Sequence, residues 1–418
     1  MNKKNHAENL NSSVKNVLLV GYNGANNTGS EARLLSIIDD VKELLGPQVL
    51  ITIPTLNEKN LRRYISEGPN IRIQPIPSIF YLSLIRLVRK NDLIVLVEGS
   101  CYMDTWSSAL LSAFLWATKY ANKFNKPCIA YAVDAGHLSP SNQKKVKKEA
   151  SKTDLIITRT RAAAEILKSI GVTAPIEVTA DCAFTFKVDE KDYDLLDRIW
   201  PSNRGYVGLS VVDFHLWPVV MRIWGKKEYC YQWPYYFSRA PEDIKASDQL
   251  AEEWAQIADN IIEKYHRNIA LICMENVDNP LAIKILEKMD NKKYARIFSS
   301  SEYNASQMTS ILQKLDLLVT SRYHAGVLSL EKAVPQLAVG HDTRLKTFYQ
   351  ELGIYDYYFI DYKEPDAWER INKISEELIN NPENLKKILQ KGFNQHLKRA
   401  QKNPVLLTEF LKKIKETK

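Results

Sequence analysis

The chain has 418 residues, 45% hydrophobic and 25% charged, with a formal net charge of +8. That length exceeds one ordinary core, so two domains are expected. Its first 15 residues read as a flexible polar segment rather than a signal or anchor, and no apolar run approaches the roughly 20 residues a spanning helix needs.

Residues 16–20 form a short apolar run that ends in the turn Gly21-Tyr-Asn-Gly-Ala-Asn-Asn-Thr-Gly29. A helix pattern follows, with Leu34, Ile37, Ile38, Val41, Leu44 and Leu45 on one stripe and Gly46-Pro47 as its stop. Residues 49–53 and 71–73 read as strands, with a helical segment to Ser66 between them. Residues 93–97 read as a buried strand, followed by a helix over 109–123 and a strand over 128–132. A strand over 155–158 and a helix over 161–169 complete a first half, 16–195. Polarity rises around 187–203, and a second alternation, 204–360, starts with a strand over 206–212. It continues with a helix over about 247–265, a strand over 269–273, a helix over 280–289, a strand over 296–298 and a helix over 305–314. Strands over 317–320 and 336–339 close it. Strands alternating with helices predict an α/β fold of two Rossmann-like domains facing a cleft, with ligands beyond the C-terminal strand ends.

Residues 361–418 read as C-terminal helices forming a basic tail. Ten Lys or Arg between Lys386 and Lys418 oppose only Glu409 and Glu416, so the rest of the chain is neutral in sum. Two readings stand side by side. The tail rests on an anionic membrane face, or it is the solvated side of ordinary helices that turn Leu385, Ile388, Leu389, Leu406, Leu407, Phe410, Leu411 and Ile414 inward. Nucleic acid is not expected, because the charge is confined to that segment. The five cysteines are scattered, which argues against zinc and disulfides and suits a reducing cytoplasm.

The most informative stretch is Val319-Thr-Ser-Arg-Tyr-His-Ala-Gly326, a strand end that stops at Arg322 and His324 just before a helix. A guanidinium and an imidazole at that position suit an anionic substrate and a proton transfer. His341 ranks second to His324, and His137 third. Arg159 holds the same topological place in the first half as Arg322 does in the second, so the two could clamp one small anion, with Arg344 and Lys346 adding charge. The turn at 21–29 has the wrong spacing for a dinucleotide fingerprint. It leaves Asn26, Asn27, Ser30 and Glu31 to meet an oxygen-rich ligand, or serves as a tight turn. Asp104, in Glu98-Gly-Ser-Cys-Tyr-Met-Asp104, either takes a hydroxyl proton or caps the next helix. Nine aromatics from Phe214 to Phe237 suit a sugar, a lipid interface or an inter-domain wedge.

Together these segments resemble the polysaccharide pyruvyl transferase family. Gly21-Tyr-Asn-Gly-Ala-Asn-Asn-Thr-Gly-Ser-Glu31 is similar to its opening Gly-Tyr-x-Gly-x-x-Asn-x-Gly-Asp-Glu segment, and Glu98–Asp104 to its Gly-Gly-Gly-x-x-x-Asp segment. Ser321-Arg-Tyr-His-Ala325 with Gly340-His-Asp-Thr-Arg344 resembles its Arg-Leu-His-Ala and Tyr-Asp-Pro-Lys pair, and Thr158-Arg159…Thr179-Ala-Asp181 keeps its order. Ser30, Glu98 and Arg344 stand where Asp, Gly and Lys are usual. The resemblance implies a GT-B-like fold and transfer of pyruvate from phosphoenolpyruvate, the co-substrate, to a sugar or lipid-linked glycan of a cell-surface polysaccharide as a ketal. It implies a donor held by Arg159, Arg322, Arg344 and Lys346. His324 would be the general acid, Asp104 or Glu31 would accept the hydroxyl proton, and Asn26, Asn27 and Glu31 would meet the acceptor. No cofactor or metal is expected, and the enzyme is expected in the cytoplasm, either free or peripheral to the inner face of the membrane through its basic tail. The alternative is a GT-B glycosyltransferase with a nucleotide-sugar donor, whose diphosphate would use the same Arg322. A non-catalytic glycan-binding protein is the third class.

Overall fold

The computed structural model of the chain describes residues 14–216, 219–340 and 342–416. Most of the segment expected to be flexible, and the candidate His341, lie outside them.

Strands β1 (Asn16–Val20), β2 (Leu50–Thr55), β3 (Ile71–Pro75), β4 (Leu93–Leu96), β5 (Cys128–Val133), β6 (Leu155–Thr158) and β7 (Ile176–Val178) form a seven-stranded sheet in the order β3-β2-β1-β4-β5-β6-β7. Strand β8 (Tyr206–Ser210) opens the second domain. A three-stranded antiparallel sheet, β9 (Val219–Met221), β10 (Cys230–Gln232) and β11 (Tyr235–Phe237), interrupts it. Strands β12 (Asn268–Cys273), β13 (Ala295–Ser299), β14 (Leu317–Thr320), β15 (Gln336–Val339) and β16 (Phe359–Ile360) complete a six-stranded sheet, β13-β12-β8-β14-β15-β16. Every pair in the two large sheets is parallel. That is why strands such as Leu-Ile-Val-Leu in β4 are apolar throughout: helices cover both faces. Strand order reverses between β1 and β4 and again between β8 and β14, and each reversal opens a crevice at the C-terminal strand ends.

The helix after β1, Thr28–Leu45, forms because Asn27 caps it, its side chain accepting from the Ser30 N–H at 3.0 Å, and Gly46 ends it at φ +82°. Its Leu34, Ile37, Ile38 and Val41 are buried in the first core, each worth about 1.5–3 kcal/mol.

The expected elements are present with small shifts at their ends. The structure adds helices Tyr81–Lys90 and Pro140–Ala150 and the short strands β7 and β16, and shrinks the helix expected to run to Ser66 to one turn, Glu58–Leu61. The segment 361–418 is not a free tail but three helices, Ala367–Asn380, Glu383–Ala400 and Lys402–Glu416. Leu385 and Leu389 join the second core, and Leu407, Phe410 and Leu411 join the first, so the chain crosses back. The crossing is pinned by Asn403, which accepts from Thr179 Oγ1 at 2.6 Å and donates to the Ala180 carbonyl at 3.0 Å. Ile388, expected inside, is 42% exposed.

Candidate active site

The loops after β1, β4, β5 and β6 meet those after β8, β12, β14 and β15 across one cleft. The cleft holds two cavities. The larger, about 860 Å³, is walled by Asp104, Trp106, His137, Thr160, Ser321 and Asp342. The smaller, about 290 Å³, has a polar end at Asn26, Asn27, Glu98, Glu275 and His324 and an apolar end at Ile76, Phe80, Leu84 and Phe114. Arg322 and Arg344 belong to both walls.

Behind the cleft lies a buried ionic cluster. Arg33 donates to Asp181 Oδ1 at 2.6 Å and to the carbonyls of Val97 and Ala132 at 3.1 and 3.0 Å. Arg159 donates to Asp181 Oδ2 at 2.6 Å and Asp134 Oδ2 at 2.8 Å, and lies 4.3 Å from the Tyr323 ring centroid. Burial penalises the Asp181 carboxylate, but Arg33 and Arg159 together hold it well below the usual range. Arg159 therefore does not stand free to grip a donor as expected. It is 1% exposed and spent on two carboxylates, although Nη2 has no hydrogen-bond partner among the described residues.

His324 reaches this cluster from the other domain. Its Nε2 lies 3.4 Å from Asp181 Oδ2, and its ring packs so closely on Gly29 that a Cβ there would fall 2.0 Å from Nδ1. Burial lowers its pKa against the pull of Asp181, so the imidazole rests neutral at pH 7. A ready-made general acid it is not: at rest it is poised to take a proton.

The other candidates divide. Arg322 is held by Asp278, to which Nε and Nη2 both donate, and by Glu275 Oε2 at 3.1 Å from Nη1. Burial raises the pKa of both carboxyls, which Arg322 opposes. Arg344 is forked onto Asp342, Nη2 to Oδ2 at 2.5 Å, and lies 5.1 Å from the Trp106 ring centroid. The cleft thus presents its arginines matched by acids rather than the strongly cationic surface expected. Lys346 is misassigned, since helix geometry turns it away from both cavities, to 5.1 Å from the Tyr355 ring centroid.

Asp104 lines the larger cavity, but three donors fill Oδ2: Ser139 N at 2.9 Å, Ser139 Oγ at 2.7 Å and Asn142 Nδ2 at 2.7 Å. Burial would raise its pKa, yet these bonds hold it below the carboxylate norm and make it a poor base. It positions the His137–Asn142 turn instead, with His137 Nδ1 at 3.3 Å. Asn26 and Asn27 do line the smaller cavity, while their backbones clamp the second domain: the Asn26 carbonyl accepts from Asn276 N at 3.2 Å and Ser300 Oγ at 2.6 Å. Glu31 is corrected outright. It is 1% exposed, accepts from the Ala305 N–H at 3.1 Å across the domain contact, and its carboxyl is pushed up to about 8 by burial.

Sequence reasoning missed Arg33, Glu275, Asp278 and Trp106. Glu275 and Asp278 follow β12 at its C-terminal end, the topological signal that singled out Arg322. Arg33 sits inside an amphipathic helix and gave none. The aromatic run resolves as the β9–β11 wedge: Tyr235 OH donates to the Ser78 carbonyl at 3.2 Å, Gln232 Nε2 to Ser78 Oγ at 3.3 Å, and Val219 N to the Trp106 carbonyl at 3.1 Å. It spans the cleft from the second domain to the first. Residues 217 and 218 of that run lie outside the described residues.

The polysaccharide pyruvyl transferase family profile matches residues 27–343, three quarters of the chain and most of this cleft. The chain belongs to the polysaccharide pyruvyl transferase family. No curated protein matches this family member in sequence. Among solved structures it is similar to a putative UDP-N-acetylglucosamine 2-epimerase from Listeria monocytogenes, at 13% identity over 94% of each chain and a TM-score of 0.60. It is also similar to Anabaena HepE in complex with UDP-glucose, at 11% identity over 96% of this chain and 100% of that one, TM-score 0.58. A glycosyltransferase from Rickettsia africae matches at 12% identity over 97% and 100%, TM-score 0.55. At such identities the likeness speaks for the fold alone: this pyruvyl transferase family member has the GT-B architecture.

Proposed function

We propose that this enzyme moves pyruvate from phosphoenolpyruvate onto two hydroxyls of a sugar, forming a ketal. The observation that carries the reading is that Arg322 and Arg344 stand on the walls of both cavities, where one anion would contact two spaces. Phosphoenolpyruvate carries about three negative charges near neutral pH and needs such guanidinium forks. It would lie at the junction, against Ser321 and Thr160 on the larger side, exchanging places with Asp342 on Arg344 as it enters. The acceptor sugar would fill the smaller cavity, its hydroxyls meeting Asn26, Asn27, Glu98 and Glu275.

In this scheme neutral His324 takes the proton of the attacking hydroxyl as the oxygen adds to C2, and delivers it to C3, which becomes the methyl group. Asp181 beside Nε2 stabilises the transient imidazolium, as a buried carboxylate does for a catalytic histidine elsewhere. The second hydroxyl then displaces phosphate from C2 and closes the ring, its proton leaving on the phosphate. Arg159 is recast as a positioning residue that holds Asp181 and Tyr323. No cofactor beyond the donor is invoked, so activity should persist in excess chelator.

The test is the thermal midpoint of the protein with phosphoenolpyruvate and, separately, with nucleotide sugars. A ligand at a hundred times its dissociation constant stabilises by about 2.7 kcal/mol. A rise with phosphoenolpyruvate that vanishes in Arg322→Ala supports the reading. A rise with a nucleotide sugar alone replaces it with glycosyl transfer.

A further inference from the structure

Most large apolar side chains exposed in the described residues are scattered singly, but one set adjoins. Met221 ends β9, Ile223 and Trp224 follow it, and Trp233 occupies the β10–β11 turn, with Trp224 79% exposed. The two loops lie side by side, since Trp233 Nε1 donates to the Ile223 carbonyl at 3.3 Å and Arg222 N to the Pro234 carbonyl at 2.8 Å. Gln232 and Tyr235, flanking Trp233, both bond Ser78, and Ser78 is followed by exposed Ile79 and by Leu82, 71% exposed. The patch therefore runs across the domain junction. A stable aqueous surface has no use for such a cluster.

Its charge is one-sided. Leu82, Arg86 and Arg89 fall four and three residues apart, on one exposed stripe of helix Tyr81–Lys90, opposite the buried Leu84 and Val88. There is no Asp or Glu from Gly68 to Asn91, and Glu228 is the lone acid between Asp213 and Glu242. Arg86, Arg89, Lys90, Arg222 and Lys227 lack a carboxylate partner among the described residues. Tryptophan and aliphatic tips ringed by arginine and lysine match a bilayer interface, where indoles sit at headgroup depth and cations meet anionic lipid. The same segments form the apolar end of the smaller cavity: Phe80 and Leu84 face into it while Ile79 and Leu82 face out.

We propose that this face, and not the basic C-terminal helices, docks the enzyme on an anionic bilayer surface, setting the apolar mouth of the smaller cavity against the lipid. The proposal stands apart from the donor chemistry and is tested without turnover. The full chain is co-sedimented with phosphatidylcholine vesicles with and without phosphatidylglycerol. Binding should require phosphatidylglycerol and fall as salt rises. Ile223→Ser with Trp224→Ser should lower the partition at least about ten-fold, the loss expected for one buried apolar side chain. Arg86→Gln with Arg89→Gln should lower it roughly 25-fold, about five-fold per charge. Lys398→Gln with Lys412→Gln, on the C-terminal helices, should leave it unchanged. All of these side chains are at the surface, so equal unfolding midpoints are expected and verify the fold. The proposal is overturned if the protein ignores anionic vesicles, if only the C-terminal variant loses binding, or if Trp224→Ser instead abolishes self-association in light scattering.

Discussion

Glu31 offers the sharpest physical prediction, because its burial was invisible in sequence and its consequence is a slope. The carboxyl sits buried at the domain contact, and Arg63 at 3.6 Å, the Asn60 side chain and the Ala305 N–H are together too little to offset its desolvation, so its pKa rises from an ordinary 4.5 to about 8. Between those values the folded protein keeps a proton that the unfolded chain has lost. The contribution is fully present below about pH 4.5 and is lost as pH climbs through 8. At about 1.4 kcal/mol per pH unit, the loss is at most about 5 kcal/mol by pH 9. Glu31→Gln keeps an oxygen for the Ala305 N–H and cannot ionise. Urea unfolding of both proteins across pH 4 to 9 should give curves that coincide within about 1 kcal/mol at the acid end. They should then diverge, the variant becoming the more stable one at alkaline pH. If the difference between the two is flat with pH, or if wild type is the more stable at pH 9, the domain contact is not built as described.

Three further outcomes are expected. Gly29→Ala should fold but lose turnover, because a Cβ would fall 2.0 Å from His324 Nδ1; overpacking of this kind costs about 1–3 kcal/mol, read from the unfolding midpoint. Asp181→Asn should cost about 3–5 kcal/mol in denaturant unfolding, since it leaves Arg33 and Arg159 buried with one carboxylate fewer; a cost near zero would dissolve the cluster as a structural unit. His324→Ala should lower turnover by about 10²–10⁴. With His324 acting in its neutral form, wild-type turnover should stay level through pH 7 and fall only toward acid, below the usual histidine range.

Much of the fold could be read from periodicity alone. Parallel strands buried on both faces must be apolar throughout, and the helices between them must be amphipathic, so β1, β4, β12 and β14 and the helices behind them announce themselves. The strands that went unread, β7, β16 and the β9–β11 wedge, have only two or three residues each, too few to carry a period. The strand-end rule likewise located the loops of the cleft, and with them Arg322, His324, Arg344 and Asn26.

Which of those side chains stand open to a ligand was decided only by tertiary contact. Arg159 and Arg322 occupy equivalent strand ends, yet one is sealed between Asp134 and Asp181 while the other lines both cavities. Lys346 and Arg344 are two residues apart on one helix, and a rotation of about 200° puts only Arg344 in the cleft. Glu31, Asp181 and His324 each have a partner from 140 to nearly 300 positions away, Ala305, Arg33 and Asp181 in turn, and local sequence holds no record of them. Sequence determines what a strand or helix must be, because those patterns repeat within one element. Charge state and access depend on what another element brings within 4 Å, and only the docked pair of domains determines that.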